Sequence, residues 1–165
     1  MTSLIRKHRL ALGAATLIAV VCGCGSTFMK KMGEDTGPVG KMFRGFNEVH
    51  DARQLSEADE DELGKSVAIL ITNRYPPSDD KKLIQYVNLV GYTLVESSRK
   101  PDKQYTFGVL ETDDIGAYSG PNGYVMITHG AIKSMQDEAE LAGVLAHELT
   151  HVIDRHGLEA ARGRH

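Results

Sequence analysis

The sequence predicts an α+β domain that follows an N-terminal export segment. Two stretches in the middle of the chain carry apolar residues at helical spacing, and two later runs are rich in β-branched and aromatic residues. A third helical pattern near the end carries the motif His-Glu-x-x-His. With 165 residues the chain is long enough for one modest domain with a core. The order helix, helix, strands, helix is that of an α+β fold.

The overall composition is that of an ordinary globular domain. Hydrophobic residues make up 41% of the chain, charged residues 25%, and the formal net charge is -3. A nucleic-acid partner is recognised through concentrated positive charge, and this chain has no long run of one sign. We therefore expect no nucleic-acid binding.

The N-terminus differs from the rest of the chain. Arg6, Lys7 and Arg9 precede an uncharged run over residues 10–21, after which cysteine and glycine alternate. A basic segment, an apolar segment and small residues in this order predict a bacterial-type export signal over residues 1–23. Twelve apolar residues are too few to cross a bilayer, which needs about 20. A buried core helix is the alternative, and the flanking charges disfavour it.

The segment around Cys24 resembles a lipobox, in which small residues precede a cysteine that becomes the lipidated first residue of the mature chain. Gly23 supplies the small residue before Cys24, whereas Val21 fits poorly before Cys22. If Cys24 is acylated, Cys22 leaves with the signal and no pair of thiols remains for a disulfide. The sequence thus predicts a membrane anchor at Cys24 and a place in the cell envelope, on its periplasmic side. Gly25 favours the outer membrane, by similarity to sorted lipoproteins.

The mature chain begins with a polar, glycine-rich stretch over residues 24–55 that lacks a steady period, which predicts a tether or lead-in. The folded domain is expected over residues 56–165.

Two helices are predicted at the start of this domain. Ser56 with Asp59 is a variant of the capping box that begins a helix, and Pro76-Pro77 ends it. Asp79 or Asp80 can cap the second helix. The apolar faces are expected to consist of Leu63, Val67, Leu70 and Ile71 in the first helix and Leu83, Val87, Val90, Leu94 and Val95 in the second.

Strand-like runs over residues 105–110 and 124–128 follow the two helices. Asn122-Gly123 is a strong turn pair, so these segments are expected to form a hairpin or to lie in one small sheet. Asp137 with Glu140 then forms a capping box that begins the last helix.

The last helix carries the residues with chemical significance. His151 lies about 40° around the helix and about 6 Å along it from His147, so both imidazoles can reach one metal ion. Glu148 lies about 100° from His147, where it can contact a metal-bound water. His129 has no partner at such spacing and is expected to be an ordinary surface histidine. The opposite arc, made of Leu141, Leu145, Leu149, Val152 and Ile153, is expected to be buried.

The run from Glu140 to Val152, followed by Arg155-His156, resembles the active-site helix of the HtpX-like gluzincin metallopeptidases. The closest resemblance is to the BepA-like and LoiP-like lipoprotein members. Upstream, Tyr86 to Gly91 resembles an early helix of that family, and Ala117 to Gly130 resembles the strands that lead to the metal helix. The likeness extends from Ser56 to His156, about two thirds of the chain.

The resemblance implies a zincin-like fold and one zinc ion per chain. It implies that His147 and His151 are zinc ligands and that Glu148 is the general base of a metalloendopeptidase that acts on envelope or misfolded proteins. It also implies that an extended peptide substrate pairs with the edge of a strand near Ala117-Tyr118 or Tyr124. Gly116 departs from the family, which usually has Asn at this position.

The third zinc ligand of the gluzincins is a glutamate on a later helix. Glu159 lies about 12 Å beyond His151 along a continuous helix, and His156 points about 140° away from it, so neither fits. We therefore expect the chain to be the N-terminal portion of the peptidase, truncated before the third ligand. The alternative is a non-catalytic, peptidase-like lipoprotein that acts as a binding or assembly module. The reading frame after the codon for His165 distinguishes the two.

Overall fold

A computed structural model describes residues 56–155, which form an α+β fold of four helices and a three-stranded sheet. The predicted signal peptide, Cys24, the tether, His156 and Glu159 lie outside the described residues. No helix within the described part is both long and apolar enough to cross a membrane. The elements, in chain order, are α1 (Glu57–Arg74), α2 (Lys81–Glu96), β1 (Thr106–Leu110), β2 (Ala117–Gly120), a 3₁₀ turn (Pro121–Gly123), β3 (Tyr124–Thr128), α3 (His129–Ser134) and α4 (Glu138–Ile153).

The predicted capping box of α1 is confirmed. The backbone N–H of Asp59 donates to Oγ of Ser56 at 3.2 Å, and the N–H of Ser56 donates to Oδ2 of Asp59 at 3.0 Å. Such reciprocal bonds satisfy donors that the first helical turn leaves without partners. The helix ends at Arg74, directly before Tyr75 and the two prolines. The local sequence therefore determines both ends of α1.

The predicted N-caps of α2 and α4 are also confirmed, the former at Asp80. Its carboxylate accepts from the N–H groups of Lys82 and Leu83 at 3.0 and 3.1 Å. Asp137 accepts from the N–H of Glu140 at 3.0 Å. The return bond of α4 differs from a standard capping box, because Glu140 accepts from the N–H of Gln136 at 2.9 Å, one residue before the cap.

The sheet has the strand order β1-β3-β2, with β1 parallel and β2 antiparallel to β3. The two predicted strand-like runs correspond to β1 and β3. They lie in one sheet, which was one of the two predicted alternatives, but the hairpin is formed by β2 and β3. Its turn needs two residues with positive φ, Asn122 at 58° and Gly123 at 95°. A side chain on Gly123 would also collide with the carbonyl oxygen of Gln104.

Helices cover both faces of the sheet. One face, with α2 and α4, forms a buried cluster of apolar side chains that includes Phe107, Val109, Ala117, Val125, Ile127, Val87, Leu145 and Leu149. The other face packs on α1 through Leu63, Val67, Ile71, Leu110, Tyr118 and Met126. Because side chains alternate along a strand, one short sheet serves both layers. The predicted apolar faces of the helices are buried or partly buried as expected.

The short helix α3 was not expected from the sequence. Thr128 caps it through a bond from the N–H of Ala131 to Oγ1 at 3.1 Å. The same hydroxyl donates to the carbonyl of Gly116 at 3.0 Å, which ties the start of α3 to β2. Six residues with little hydrophobic periodicity give too weak a pattern to predict a helix.

Candidate metal centre

The motif histidines lie on one face of α4 and converge. Nε2 of His147 and Nε2 of His151 are 2.9 Å apart, and the ring planes are nearly perpendicular at 83°. Both side chains are partly buried, whereas Leu145, Leu149 and Val152 on the other arc are buried in the core. The core thus fixes the rotation of α4 and leaves both imidazoles directed to the same point.

Glu148, between the two histidines, is only 2% exposed. Burial raises the pKa of its carboxyl group above the ordinary value, while a hydrogen bond with Ser119 and the nearby His147 act in the opposite direction. Ser119 is on β2, whose alternation directs Ala117 and Ser119 to the side of α4. The hydroxyl of Ser119 therefore orients the carboxylate, a contact between distant segments that no sequence pattern indicates.

The two imidazoles fit a zinc ion. Two nitrogen ligands at Zn–N distances of about 2.0–2.1 Å in a tetrahedral site lie about 3.3 Å apart, close to the separation of the two Nε2 atoms. Among residues 56–155, no group of three or more His, Cys, Asp or Glu side chains is arranged to hold a metal. His147 and His151 are therefore two candidate ligands, and Glu148 lies between them in the sequence of α4.

The residues predicted to contact the substrate lie on two strands of the sheet. Tyr124 belongs to β3, which lies between the other two strands and has no open edge. Tyr118 is on the edge strand, but its side chain is only 4% exposed and stacks on Tyr75 at 5.9 Å between ring centroids. Tyr124 therefore lies on the central strand and Tyr118 on the edge strand, and the peptide contacts predicted for them stay predictions.

The backbone of β2 has an open edge within the described sheet. The N–H of Thr128 donates to the carbonyl of Gly116 at 3.0 Å, so the Gly116 position is paired with β3. In an antiparallel pair the bonding direction alternates, so Tyr118 also faces β3 whereas Ala117 and Ser119 face outward. Among the residues predicted to contact a substrate, Ala117 has backbone groups that face the open edge of β2.

A cleft lies beside the histidines, between the end of α4, the β2–β3 turn and the start of α1. Its lining includes His151, Ser119, Asn122, Glu60 and Arg155. Glu60, only 3% exposed, was not identified from the sequence, where it is one of several acidic residues in the first turn of a helix. Only the packing of α1 shows that it is buried.

His129 was expected to be a surface histidine without a partner, but its side chain contacts a carboxylate. Its Nδ1 lies 3.1 Å from Oε1 of Glu111, and Oε2 of the same carboxylate accepts from Ser78 Oγ at 2.7 Å. Glu111 follows β1 and His129 follows β3, and the carboxyl ends of parallel neighbours meet at one edge. The cluster is a link between strand ends, separate from the two motif histidines.

The sequence and the site together define a class of protein. Residues 81–164, about half of the chain, match the model of peptidase family M48. The chain belongs to this family, and the family implies a metal cofactor, typically zinc. The predicted gluzincin resemblance is thereby confirmed at the level of the family.

Individual relatives have more specific names. The chain is 29% identical over 102 residues to the beta-barrel assembly-enhancing protease of Escherichia coli K12, a match over 62% of this chain and 21% of the relative. The protein of the same name from Yersinia pestis is 35% identical over 77 residues, 47% of this chain and 16% of the relative. Metalloprotease YcaL of Escherichia coli K12 is 28% identical over 155 residues, 93% of this chain and 57% of the relative. The chain thus matches about a fifth of the length of the assembly-enhancing proteases.

Proposed function

We propose that the chain is the metal-binding part of a zinc-dependent metalloendopeptidase that hydrolyses peptide bonds in envelope or misfolded proteins. The observation that carries the proposal is the convergence of His147 and His151 to 2.9 Å beside buried Glu148, in a chain of peptidase family M48. Two imidazoles and an adjacent carboxylate are the donor set that such chemistry requires. The third zinc ligand is proposed to come from residues outside the described range.

Zinc, when bound, supplies Lewis acidity that acidifies water and polarises a peptide carbonyl. His147 and His151 would hold the ion, and the last turns of α4 keep their Nε2 atoms together. Glu148 would accept a proton from the attacking water and pass it to the leaving amine. Ser119 would hold the carboxylate in place during both transfers.

The open edge of β2 would bind the substrate. A peptide added as a further strand would pair with the outward backbone groups of Ala117 and Ser119, which tolerate any side-chain sequence. A test uses peptides that are N-methylated at one backbone amide. Methylation at amides that pair with β2 should raise KM, and methylation at alternate amides should not. Equal effects at all positions would exclude edge pairing.

We further propose an envelope location for the mature protein, anchored by a lipid on Cys24 after removal of residues 1–23, with residues 24–55 as the tether. The support is the predicted export signal and lipobox. Replacement of Cys24 by Ser should abolish the incorporation of labelled fatty acid and release the protein from the membrane fraction. Unchanged labelling of the variant would contradict the assignment of Cys24.

The proposed activity is tested by zinc content and by cleavage of casein and of a misfolded protein, with Glu148→Gln as the control. This substitution keeps the size of the side chain and removes its function as a base, so the variant should bind zinc but not cleave. Equal cleavage by both proteins would show that Glu148 is not the base. The second candidate, a non-catalytic binding or assembly module, is favoured by the presence of only two converging ligands within residues 56–155. Tight binding of unfolded protein by both proteins, without cleavage by either, would support it.

A further inference from the structure

A buried ionic cluster lies in the same cleft as His151, and the mechanism above does not use it. Glu60, at the start of α1, has a side chain that is only 4% exposed. Its Oε2 lies 3.5 Å from Nζ of Lys103, in the segment before β1, and its Oε1 pairs with the guanidinium of Arg155 at the end of α4. One carboxylate thus joins three segments that are distant in sequence.

Arg155 has an unusual backbone conformation. It follows the last turn of α4 with φ of 59°, and its N–H donates to the carbonyl of Val152 at 3.2 Å. Helices commonly end with a left-handed residue, but glycine is the usual one because a side chain is disfavoured there. A non-glycine residue persists in such a conformation where other contacts hold it, and these residues concentrate at functional sites. The contact present here is the pair with Glu60.

The electrostatic consequence concerns the metal. Arg155 places a positive charge on the wall of a cleft that also contains His151, a proposed ligand of a divalent cation, and Lys103 lies next to Glu60 on the same wall. Positive charge near a metal site opposes cation binding, and burial makes the opposition stronger than in water. Glu60 is the carboxylate that both cations share. Without Glu60, the charge of Arg155 would act directly against the ion.

We propose that Glu60 supports the metal centre by neutralising the positive charge of Arg155 beside His151. The inference rests on the proposed metal site. Glu60 does not ligate the ion and acts through the electrostatic field in the cleft. Partners of metal ligands commonly change metal affinity in this indirect way.

The test is a double-mutant cycle with Glu60→Gln and Arg155→Gln in the full chain, read out as zinc affinity by competition with a chromophoric chelator. Glu60→Gln keeps the size of the side chain and should weaken zinc binding by about tenfold. Arg155→Gln alone should bind zinc at least as tightly as the wild type. The double variant should recover most of the loss, because the charge that Glu60 opposes has been removed.

Several outcomes would overturn the proposal. Wild-type zinc affinity in Glu60→Gln would show that its charge does not act on the metal site. A double variant as weak as Glu60→Gln would indicate that Glu60 is a ligand or a purely structural residue. Circular dichroism and thermal unfolding establish that each variant is folded. If Glu60→Gln does not fold, the Arg155→Gln variant alone tests the proposal. A tenfold loss of zinc affinity in Arg155→Gln would contradict the electrostatic role. A wild-type chain that binds no zinc would instead refute the proposed metal site itself.

Discussion

Nε2 of His147 and Nε2 of His151 lie 2.9 Å apart on successive turns of α4, within hydrogen-bond distance of each other. The buried arc of the helix fixes this arrangement, since Leu145, Leu149 and Val152 fill the core on the other side. The packing of α4 therefore holds both imidazoles in one place, which limits the conformational freedom that metal binding has to remove.

Removal of either motif histidine should abolish tight zinc binding. His151→Ala should lower zinc affinity by more than about 100-fold, because losing a ligand exceeds the effect of losing a ligand's partner. At zinc concentrations about 100 times the Kd, the wild type should gain about 2.7 kcal/mol of stability, which a chelator removes. Chelator competition and thermal unfolding measure the two effects. His129→Ala is the matched control, and a similar loss in that variant would refute the assignment.

Ser119→Ala should lower kcat and leave KM and zinc affinity nearly unchanged, given the proposed peptidase activity. The hydroxyl holds the carboxylate of Glu148, so its loss should reduce kcat by about tenfold, or about 1.4 kcal/mol. Ser119→Thr retains a hydroxyl at the same place and should restore most of kcat. Steady-state kinetics on a fluorogenic peptide measure both constants. An unchanged kcat in Ser119→Ala would remove this residue from the mechanism.

Gly64→Ala should destabilise the fold by about 1–3 kcal/mol. A methyl group at this position would collide with the carbonyl oxygen of Pro121 and lie 3.0 Å from the ring of Tyr124, so α1 could not approach the turn before β3. Gly143→Ala, on the exposed face of α4, meets nothing within 4 Å and should stabilise by about 0.5–1 kcal/mol. Urea unfolding measures both, and equal effects would contradict the close approach.

Acid should remove the stabilisation that Glu111 provides. The hydroxyl of Ser78, and then His129, lower the pKa of this carboxyl below its ordinary value of 4.5. A carboxyl group with a depressed pKa in the folded state contributes stability above its unfolded pKa and loses it as the pH falls through the folded pKa. The wild type should therefore exceed Glu111→Gln in stability at pH 7, and the difference should shrink below pH 4.5. Urea unfolding of both proteins at pH 7 and pH 3.5 measures this difference in stability. The same difference at both pH values would refute the contribution of the Glu111 carboxylate.

Local patterns account for what the sequence by itself determined. The caps at Ser56, Asp80 and Asp137 depend on side chains within three residues of the backbone groups they satisfy, so the helix starts could be read directly. The spacing of His147 and His151 likewise fixes their convergence within one helix. The class of chemistry followed from that spacing alone.

Contacts between distant segments were decided only by the tertiary structure. The sequence could not show that β3 is the central strand, so it did not reveal that Tyr124 lies away from the sheet edge. It also did not reveal that Tyr118 is buried against α1. Nor could the sequence show that Ser119 contacts Glu148, or that Glu60 contacts Arg155, which lies ninety-five positions later. Local spacing fixes which groups share one helix face, whereas pairing between elements depends on how all their buried surfaces fit together. The candidate metal ligands His147 and His151 could be identified from the sequence, whereas the contacts that support them are evident only in the folded domain.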